Sequence, residues 1–203
     1  MNIPDNWKLL KTVSHDEIKP FIKECLEVKG SYKTFYLIVM LISLSFLVGL
    51  ISYFITKFIR TGEFTGSKQL LLAFAFSFTA LIVIHELLHA LAYKLKGANR
   101  IYFGADVKKF IFYAGSDLHL IDGKAFRIVA LFPFITIALL TLSLSVLISD
   151  LALFFLTVFA LHNLFCGGDF AMLNYMAQFS LDKITTFDSK KAKESYFYLT
   201  DKL

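Results

Sequence analysis

The stretch that organises this chain is Thr79-Ala-Leu-Ile-Val-Ile-His85-Glu86-Leu-Leu-His89-Ala-Leu-Ala-Tyr93. It predicts a helix, because it is rich in Leu and Ala and contains neither Gly nor Pro. Residues four apart on a helix lie one turn above each other, so His85 and His89 present their imidazoles to the same point. Two neutral imidazoles at that spacing can hold one Zn²⁺, and Glu86 beside them can take a proton from a water on that metal.

The surroundings of this HExxH motif are apolar. Residues 69–84, which precede the motif, contain no charged side chain, and the last charged residue before them is Lys68. An ionisable residue inside a bilayer costs about 2.5 kcal/mol or more unless a partner satisfies it. The motif therefore favours a metal site within a membrane-spanning helix over a chance pattern on an exposed helix face.

The composition indicates a membrane protein. The chain is 57% hydrophobic with a mean hydropathy of +0.63, whereas soluble domains are about 45–50% apolar. The net charge is +5, but the basic residues flank apolar runs, which is typical of membrane topology and not of a nucleic-acid binder. The two cysteines, Cys25 and Cys166, lie in segments of different character, so no structural disulfide is expected.

Four apolar runs are long enough to cross about 30 Å of hydrocarbon. They cover residues 34–56, 69–93, 128–149 and 151–179. Pro133 is expected near the start of the third span, where a missing N–H is tolerated, and Gly167-Gly168 predicts a local break or close helix approach in the fourth. The predicted fold is an all-α integral membrane protein with four transmembrane helices.

A small β element is predicted between the second and third spans. Residues 100–115 are aromatic and β-branched with glycines as punctuation, and a third short strand is expected at 118–121. The other segments are a polar N-terminal segment (1–33), a membrane-embedded metallopeptidase-like domain (34–180) and a polar tail (181–203). His15 and His119 lie in polar segments and are interpreted as solvated.

The basic residues predict the orientation in the membrane. Eighteen Lys and Arg lie in the N-terminal segment, the 94–127 connection and the tail, whereas three lie in the 57–68 turn. The positive-inside rule then predicts a multi-pass protein of the cell membrane with both termini in the cytoplasm. The HExxH motif would face the cytoplasmic side.

A catalytic zinc usually takes three protein ligands and leaves one position for water. Asp169 is the preferred third ligand, because a carboxylate in lipid needs a cation, and His162 is the fallback. His162 and Asn163 are otherwise interpreted as hydrogen-bonding groups between helices. Cys166 can ligate zinc, although a lone buried cysteine is usually a small apolar residue.

Two motifs of this chain resemble those of a known family. HELLHA at the end of an apolar helix, followed by Asn163-Leu-Phe-Cys-Gly-Gly-Asp169 in a later span, resembles a small bacterial family of integral-membrane zincin peptidases, similar to site-2 proteases. The resemblance implies zinc ligation by His85, His89 and Asp169, with Glu86 as general base. The second motif departs from the site-2 protease pattern Asn-Pro-Asp-Gly, because this chain has Gly-Gly-Asp-Phe.

The sequence thus leads to the hypothesis of a zinc-dependent membrane endopeptidase. Its partners would be the lipid bilayer and a membrane protein or peptide substrate, cleaved in or near the membrane on the cytoplasmic side. Two alternatives are a non-proteolytic membrane zinc-binding protein, such as a regulator or metal-handling subunit, and a scaffold for another membrane protein.

Overall fold

The computed structural model describes residues 3–62, 66–108 and 110–200, and most of this part of the chain is helical. Its α-helices are α1 (Ile18–Glu27), α2 (Ser31–Thr61), α3 (Ser67–Ser77), α4 (Ala80–Leu95), α5 (Gly123–Leu147), α6 (Ala152–Phe165) and α7 (Gly167–Ala177). Its β-strands are β1 (Lys8–Ser14), β2 (Ile101–Asp106), β3 (Ile111–Ser116), β4 (Ile121–Asp122), β5 (Ile184–Ser189) and β6 (Glu194–Leu199).

Two helices, α2 and α5, are long and apolar enough to cross a membrane by themselves. α2 has 31 residues with a mean hydropathy of 2.5 in its most apolar window, and α5 has 25 residues with 2.3. Only 11% of that window of α2 is buried, so its apolar side chains suit a lipid environment. The pairs α3–α4 and α6–α7 qualify only if each bent pair is one span. The described residues therefore contain two to four candidate spans.

The predicted second span is bent, contrary to the expected continuous run. The axes of α3 and α4 differ by 44° across Phe78 and Thr79. Thr79 Oγ1 donates a hydrogen bond to the carbonyl of Ala75 at 2.6 Å, and the Thr79 N–H donates to the carbonyl of Phe76 at 3.2 Å. A threonine hydroxyl that returns to the preceding turn favours a bend, which the hydropathy pattern does not reveal.

A second bend lies at the Gly167-Gly168 pair, where the sequence predicts a break or a close approach. The axes of α6 and α7 differ by 42°. The Tyr36 hydroxyl donates to the carbonyl of Leu164 at 3.0 Å, and a Cβ on Gly167 would lie 2.8 Å from that hydroxyl oxygen. Glycine at this position therefore lets the tyrosine reach the end of α6.

The helix α5 begins earlier than predicted. Asp122 Oδ1 accepts a hydrogen bond from the Ala125 N–H at 2.9 Å and caps the helix, whose first residue is Gly123. Pro133 consequently lies inside the helix and not near its start, which corrects the prediction. Because proline has no N–H, the carbonyl of Val129 four residues earlier loses its usual helical donor.

Both the N-terminal segment and the tail contribute strands, where only polar segments were predicted. β1 pairs antiparallel with β6, and the strand order of this sheet is β1-β6-β5-β4. β2 and β3 form a separate antiparallel pair between α4 and α5, with Ile101 opposite Ser116. The strand expected at 118–121 is reduced to the two residues of β4. Residues 63–65 of the predicted turn and residue 109 of the β element lie outside the described residues.

The chain divides into two compact units. The first comprises Met1–Thr34, Glu86–Pro133 and Gly168–Leu203, and the second comprises Phe35–His85 and Phe134–Gly167. The first unit contains both sheets and has a core that includes Leu173, Ile184 and Phe197. The second has a core cluster of Leu47, Ala160 and Leu161.

Asn174 of α7 joins three parts of the first unit. Its side chain is fully buried, and its Nδ2 donates to the carbonyls of Cys25 at 3.1 Å and Val28 at 3.0 Å. Its Oδ1 accepts from the Lys33 N–H at 3.2 Å. A Cβ on Gly30 would lie 2.0 Å from that oxygen, so glycine is required where the chain turns around this amide. One side chain thus satisfies backbone groups at the end of α1 and the start of α2.

Replacing Asn174 by Ala should lower the free energy of unfolding by about 2 kcal/mol or more, because three backbone groups lose their partner at a buried position. Thermal or denaturant unfolding in detergent measures the effect. Gln178→Ala is the matched control, since Gln178 is exposed and donates to the carbonyl of Lys29 at 3.1 Å. Equal stability of the two variants would contradict the role assigned to Asn174.

Candidate metal centre

The HExxH motif lies within α4, which is a single helix from Ala80 to Leu95. Its two histidines are therefore one turn apart on the same helix. His89 is buried, with 7% of its surface exposed, whereas His85 and Glu86 are half-buried. α4 leaves the second unit after His85 and enters the first at Glu86.

The ring of His89 is held by a backbone carbonyl of α5. His89 Nδ1 lies 3.0 Å from the carbonyl oxygen of Val129. A carbonyl only accepts hydrogen bonds, so Nδ1 carries a proton, and Nε2 is the nitrogen that can ligate a metal when the ring is neutral. Pro133 leaves this carbonyl without its helical donor, and His89 supplies the replacement. This is the tautomer that metal ligation through Nε2 requires.

Asp169 approaches the other nitrogen of the same ring. Asp169 Oδ1 lies 3.1 Å from His89 Nε2, and both side chains are largely buried. Asp169 is in the first turn of α7, where the helix N-terminus favours a negative charge. The imidazole therefore lies between a backbone carbonyl and a carboxylate. The two atoms that face each other, His89 Nε2 and Asp169 Oδ1, are of types that commonly ligate zinc.

A cavity of about 170 Å³ in the first unit contains this pair. Glu86, His89 and Asp169 all line it, together with aromatic and aliphatic side chains and with residues 111–114 of β3. The lining is mainly apolar, and its ionisable side chains include the two carboxyl groups of Glu86 and Asp169 and the imidazole of His89, which are groups that attract a cation. The arrangement provides metal donors and a carboxylate within one small space.

His15 also lines this cavity, contrary to its interpretation from the sequence as a solvated residue. Its ring stacks on Tyr102 with centroids 6.3 Å apart, and its Nδ1 lies 3.1 Å from the Tyr113 hydroxyl. Burial lowers the pKa of His15 below its usual range, against the opposing charges of Asp16 and Glu194. His15 is therefore a neutral hydrogen-bonding group at pH 7. His119 also lines the cavity.

The second unit holds a separate group of donors. His85 Nδ1 lies 3.0 Å from His162 Nε2, and Cys166 Sγ lies 3.7 Å from the same His162 nitrogen. His162 and Cys166 are buried. Asn163, predicted to bond between helices, donates from Nδ2 to the Ser43 hydroxyl of α2 at 3.1 Å. His162 thus lies beside the first histidine of the motif.

The structure brings three of the four predicted site residues to one cavity, namely Glu86, His89 and Asp169. The fourth, His85, precedes Glu86 on α4 and contacts the fallback residue His162. The sequence reasoning did not identify the Val129 carbonyl as a partner of His89. Pro133 lies four residues after Val129, and it indicates the role of this carbonyl only when the proline is placed inside a helix.

The sequence profile of a family described as "Putative zincin peptidase" matches residues 78–182, just over half of the chain. The chain belongs to this family. The matched region begins before α4 and ends after α7, so it includes HExxH and Asp169. No curated protein and no solved structure matches the chain. Membership indicates a zinc-dependent peptidase and hence a hydrolase with a zinc cofactor.

Replacing Pro133 by Ala should weaken metal binding by about 10–100-fold, the usual cost of losing a group that orients a metal-ligating histidine. The new N–H would bond the Val129 carbonyl within α5 and compete with His89 Nδ1. Alanine also favours a helix interior more than proline does, so the metal-free protein should not lose stability. Zinc competition with a chelator measures the affinity, and thermal unfolding measures the stability.

Pro20→Ala is the control for this experiment. Pro20 lies in the first turn of α1, where its missing N–H is not needed for a helical bond. The substitution should leave zinc affinity unchanged. If Pro133→Ala also bound zinc normally, the carbonyl of Val129 would have no part in preparing His89.

Proposed function

We propose that the chain is a zinc-dependent integral-membrane endopeptidase. The observation that carries this proposal is the 3.1 Å approach of Asp169 Oδ1 to His89 Nε2 in a cavity that Glu86 also lines. Family membership and the apolar helices support it. The finer similarity to site-2 proteases is part of the proposal and rests on the order of the two motifs in the chain.

His85, His89 and Asp169 would hold the zinc. Two imidazoles and one carboxylate are a donor set of catalytic zinc sites, and a fourth position is left for water or substrate. Two ligand atoms at about 2.0–2.1 Å from a tetrahedral zinc are about 3.3 Å apart, close to the spacing of His89 Nε2 and Asp169 Oδ1. His85 belongs to this set because it lies one helical turn before His89.

Glu86 is assigned as the general base. When bound, zinc polarises the scissile carbonyl and lowers the pKa of the attacking water to about 7. Glu86 takes the proton from that water and gives it to the leaving amine. It lies about 100° around the helix axis from His85, so its carboxylate borders the ligand face without being a ligand.

The substrate is proposed to bind as an extended strand. A helical peptide bond is buried in its own hydrogen bonds and must unwind before attack, and an extended segment can pair with a sheet edge. Residues 111–114 of β3 line the cavity beside Glu86 and His89. A peptide paired with the β2–β3 sheet would therefore be presented to the site.

We also propose that both termini and the site face the cytoplasm, because eighteen of the 21 Lys and Arg residues lie in segments assigned to that side. Single cysteines introduced beside Lys193 should be protected from impermeant thiol reagents in intact cells and labelled after permeabilisation. Labelling of intact cells at this position would reverse the orientation.

Replacing Glu86 by Gln should leave folding and zinc content unchanged and reduce hydrolysis by at least about 100-fold, because the base is lost while size and hydrogen bonding are kept. Turnover of a fluorescence-quenched apolar peptide in detergent and metal analysis of the same samples measure both properties. Near-normal turnover by Glu86→Gln would refute the role of the residue.

Asp169→Ala provides the comparison. It should lose turnover and the zinc held at the hydrolytic site, since it removes a ligand and not the base. If Asp169→Ala kept its zinc while His162→Ala lost it, the third ligand would be His162. A wild-type protein that binds zinc at this site but cleaves no peptide would favour the non-proteolytic zinc-binding function.

A further inference from the structure

The donors around His85 in the second unit form a second set, of which the peptidase mechanism uses only His85. Its members are His85, His162 and Cys166, whose ligand atoms all lie within 4.8 Å of one another. Cys166 directly follows α6, and its N–H donates to the His162 carbonyl at 3.3 Å, so the two side chains are one turn apart. Both are almost fully buried, with 1% and 0% of their surfaces exposed.

The spacing of these atoms fits a shared cation. Two nitrogens on a tetrahedral zinc are about 3.3 Å apart, and a nitrogen and a sulfur are about 3.6 Å apart. His85 Nδ1 and His162 Nε2 are 3.0 Å apart, and His162 Nε2 and Cys166 Sγ are 3.7 Å apart. Two imidazoles and a thiolate suit Zn²⁺, Cd²⁺ or Co²⁺, and the sulfur favours softer cations over Mg²⁺ or Ca²⁺.

We propose that His85, His162 and Cys166 form a second metal site for a thiophilic divalent cation. Binding requires the thiolate, so Cys166 releases its proton to solvent when the cation binds. The histidine Nδ1 that faces His162 is the ligand atom of His85 in this site. Because His85 is also assigned to the hydrolytic set, the two sets compete for one imidazole, and a cation held by His162 and Cys166 withdraws a ligand from the peptidase site.

The ordinary alternative is a hydrogen bond between two imidazoles with a thiol packed beside them. That arrangement orients His85 but has no affinity for a cation of its own. The two descriptions differ in one property that can be measured without enzymatic activity, which is the presence of sulfur in the coordination of the bound metal.

The test uses Co²⁺, whose bond to a thiolate gives a charge-transfer absorption in the near ultraviolet. The full-length protein with His89→Ala, which lacks one donor of the hydrolytic set, should bind one Co²⁺ with this absorption. Adding Cys166→Ser or His162→Gln should abolish it. Cys25→Ser is the matched control, because Cys25 is the other buried cysteine, and it should leave the absorption unchanged. Absence of the band from the His89→Ala protein, or its persistence without Cys166, would overturn the proposal.

A second measurement avoids substitutions at the site. In the Cys25→Ser protein, Cys166 is the sole thiol of the chain. Cd²⁺ should slow its alkylation by a small maleimide by at least tenfold, and His162→Gln should remove this protection. An alkylation rate that does not respond to Cd²⁺ would show that the three side chains form a hydrogen-bonded cluster only.

Discussion

The candidate site depends on a buried imidazole that has a partner at each nitrogen. His89 lies on an apolar helix, where an unsatisfied polar group would cost several kcal/mol. Its Nδ1 bonds to the carbonyl of Val129, and its Nε2 faces Asp169. The first contact puts a proton on Nδ1, and the second brings a carboxylate within hydrogen-bond distance of Nε2, the nitrogen that can ligate a metal. The two contacts therefore fix both the orientation of the ring and the nitrogen that can bind a metal.

The irregular parts of the helices provide these partners. The interior carbonyls of an uninterrupted helix accept hydrogen bonds from the helix itself, so a carbonyl that has lost its helical donor is better able to accept from a side chain on another helix. Pro133 interrupts this pattern in α5 within the first unit, and the bend before α7 puts Asp169 in a first helical turn. Irregular backbone at membrane depth is tolerated where it is buried or lines a cavity. In this chain, the interruption at Pro133 and the bend before α7 also provide the carbonyl of Val129 and the carboxylate of Asp169 to the candidate site.

The sequence predicted the elements that depend on local pattern and missed those that depend on distant pairing. HExxH on an apolar helix, the long spans of α2 and α5, and the bend at Gly167-Gly168 follow from residue types that are close together in the chain. Hydropathy could not reveal the bend at Thr79, because it arises from one hydroxyl that returns to the helix backbone. The strands of the tail were also missed: β5 pairs with its neighbour β6, but β6 also pairs with β1, which is almost a whole chain length away.

The features of the site that depend on distant residues were likewise harder to predict from the sequence. The choice of Asp169 rested on the need of a lipid-buried carboxylate for a cation, and that argument is independent of three-dimensional distance. The carbonyl of Val129 has no signature of its own in the sequence, because every residue carries one. Its importance appeared only when Pro133 was found inside α5. Likewise, the pairing of His162 with His85 depends on two helices that are far apart in the chain.

The strand order β1-β6-β5-β4 has a consequence for biosynthesis. β1 is translated before the other described strands, and β6, its neighbour in the sheet, is translated after them. During translation, β1 therefore has no β6 to pair with until the helices between them have been made. Such a distant pairing closes slowly, because the entropy of the intervening chain is lost before the contacts form. The four-stranded sheet of the first unit is thus completed only after residues 194–199 have been synthesised.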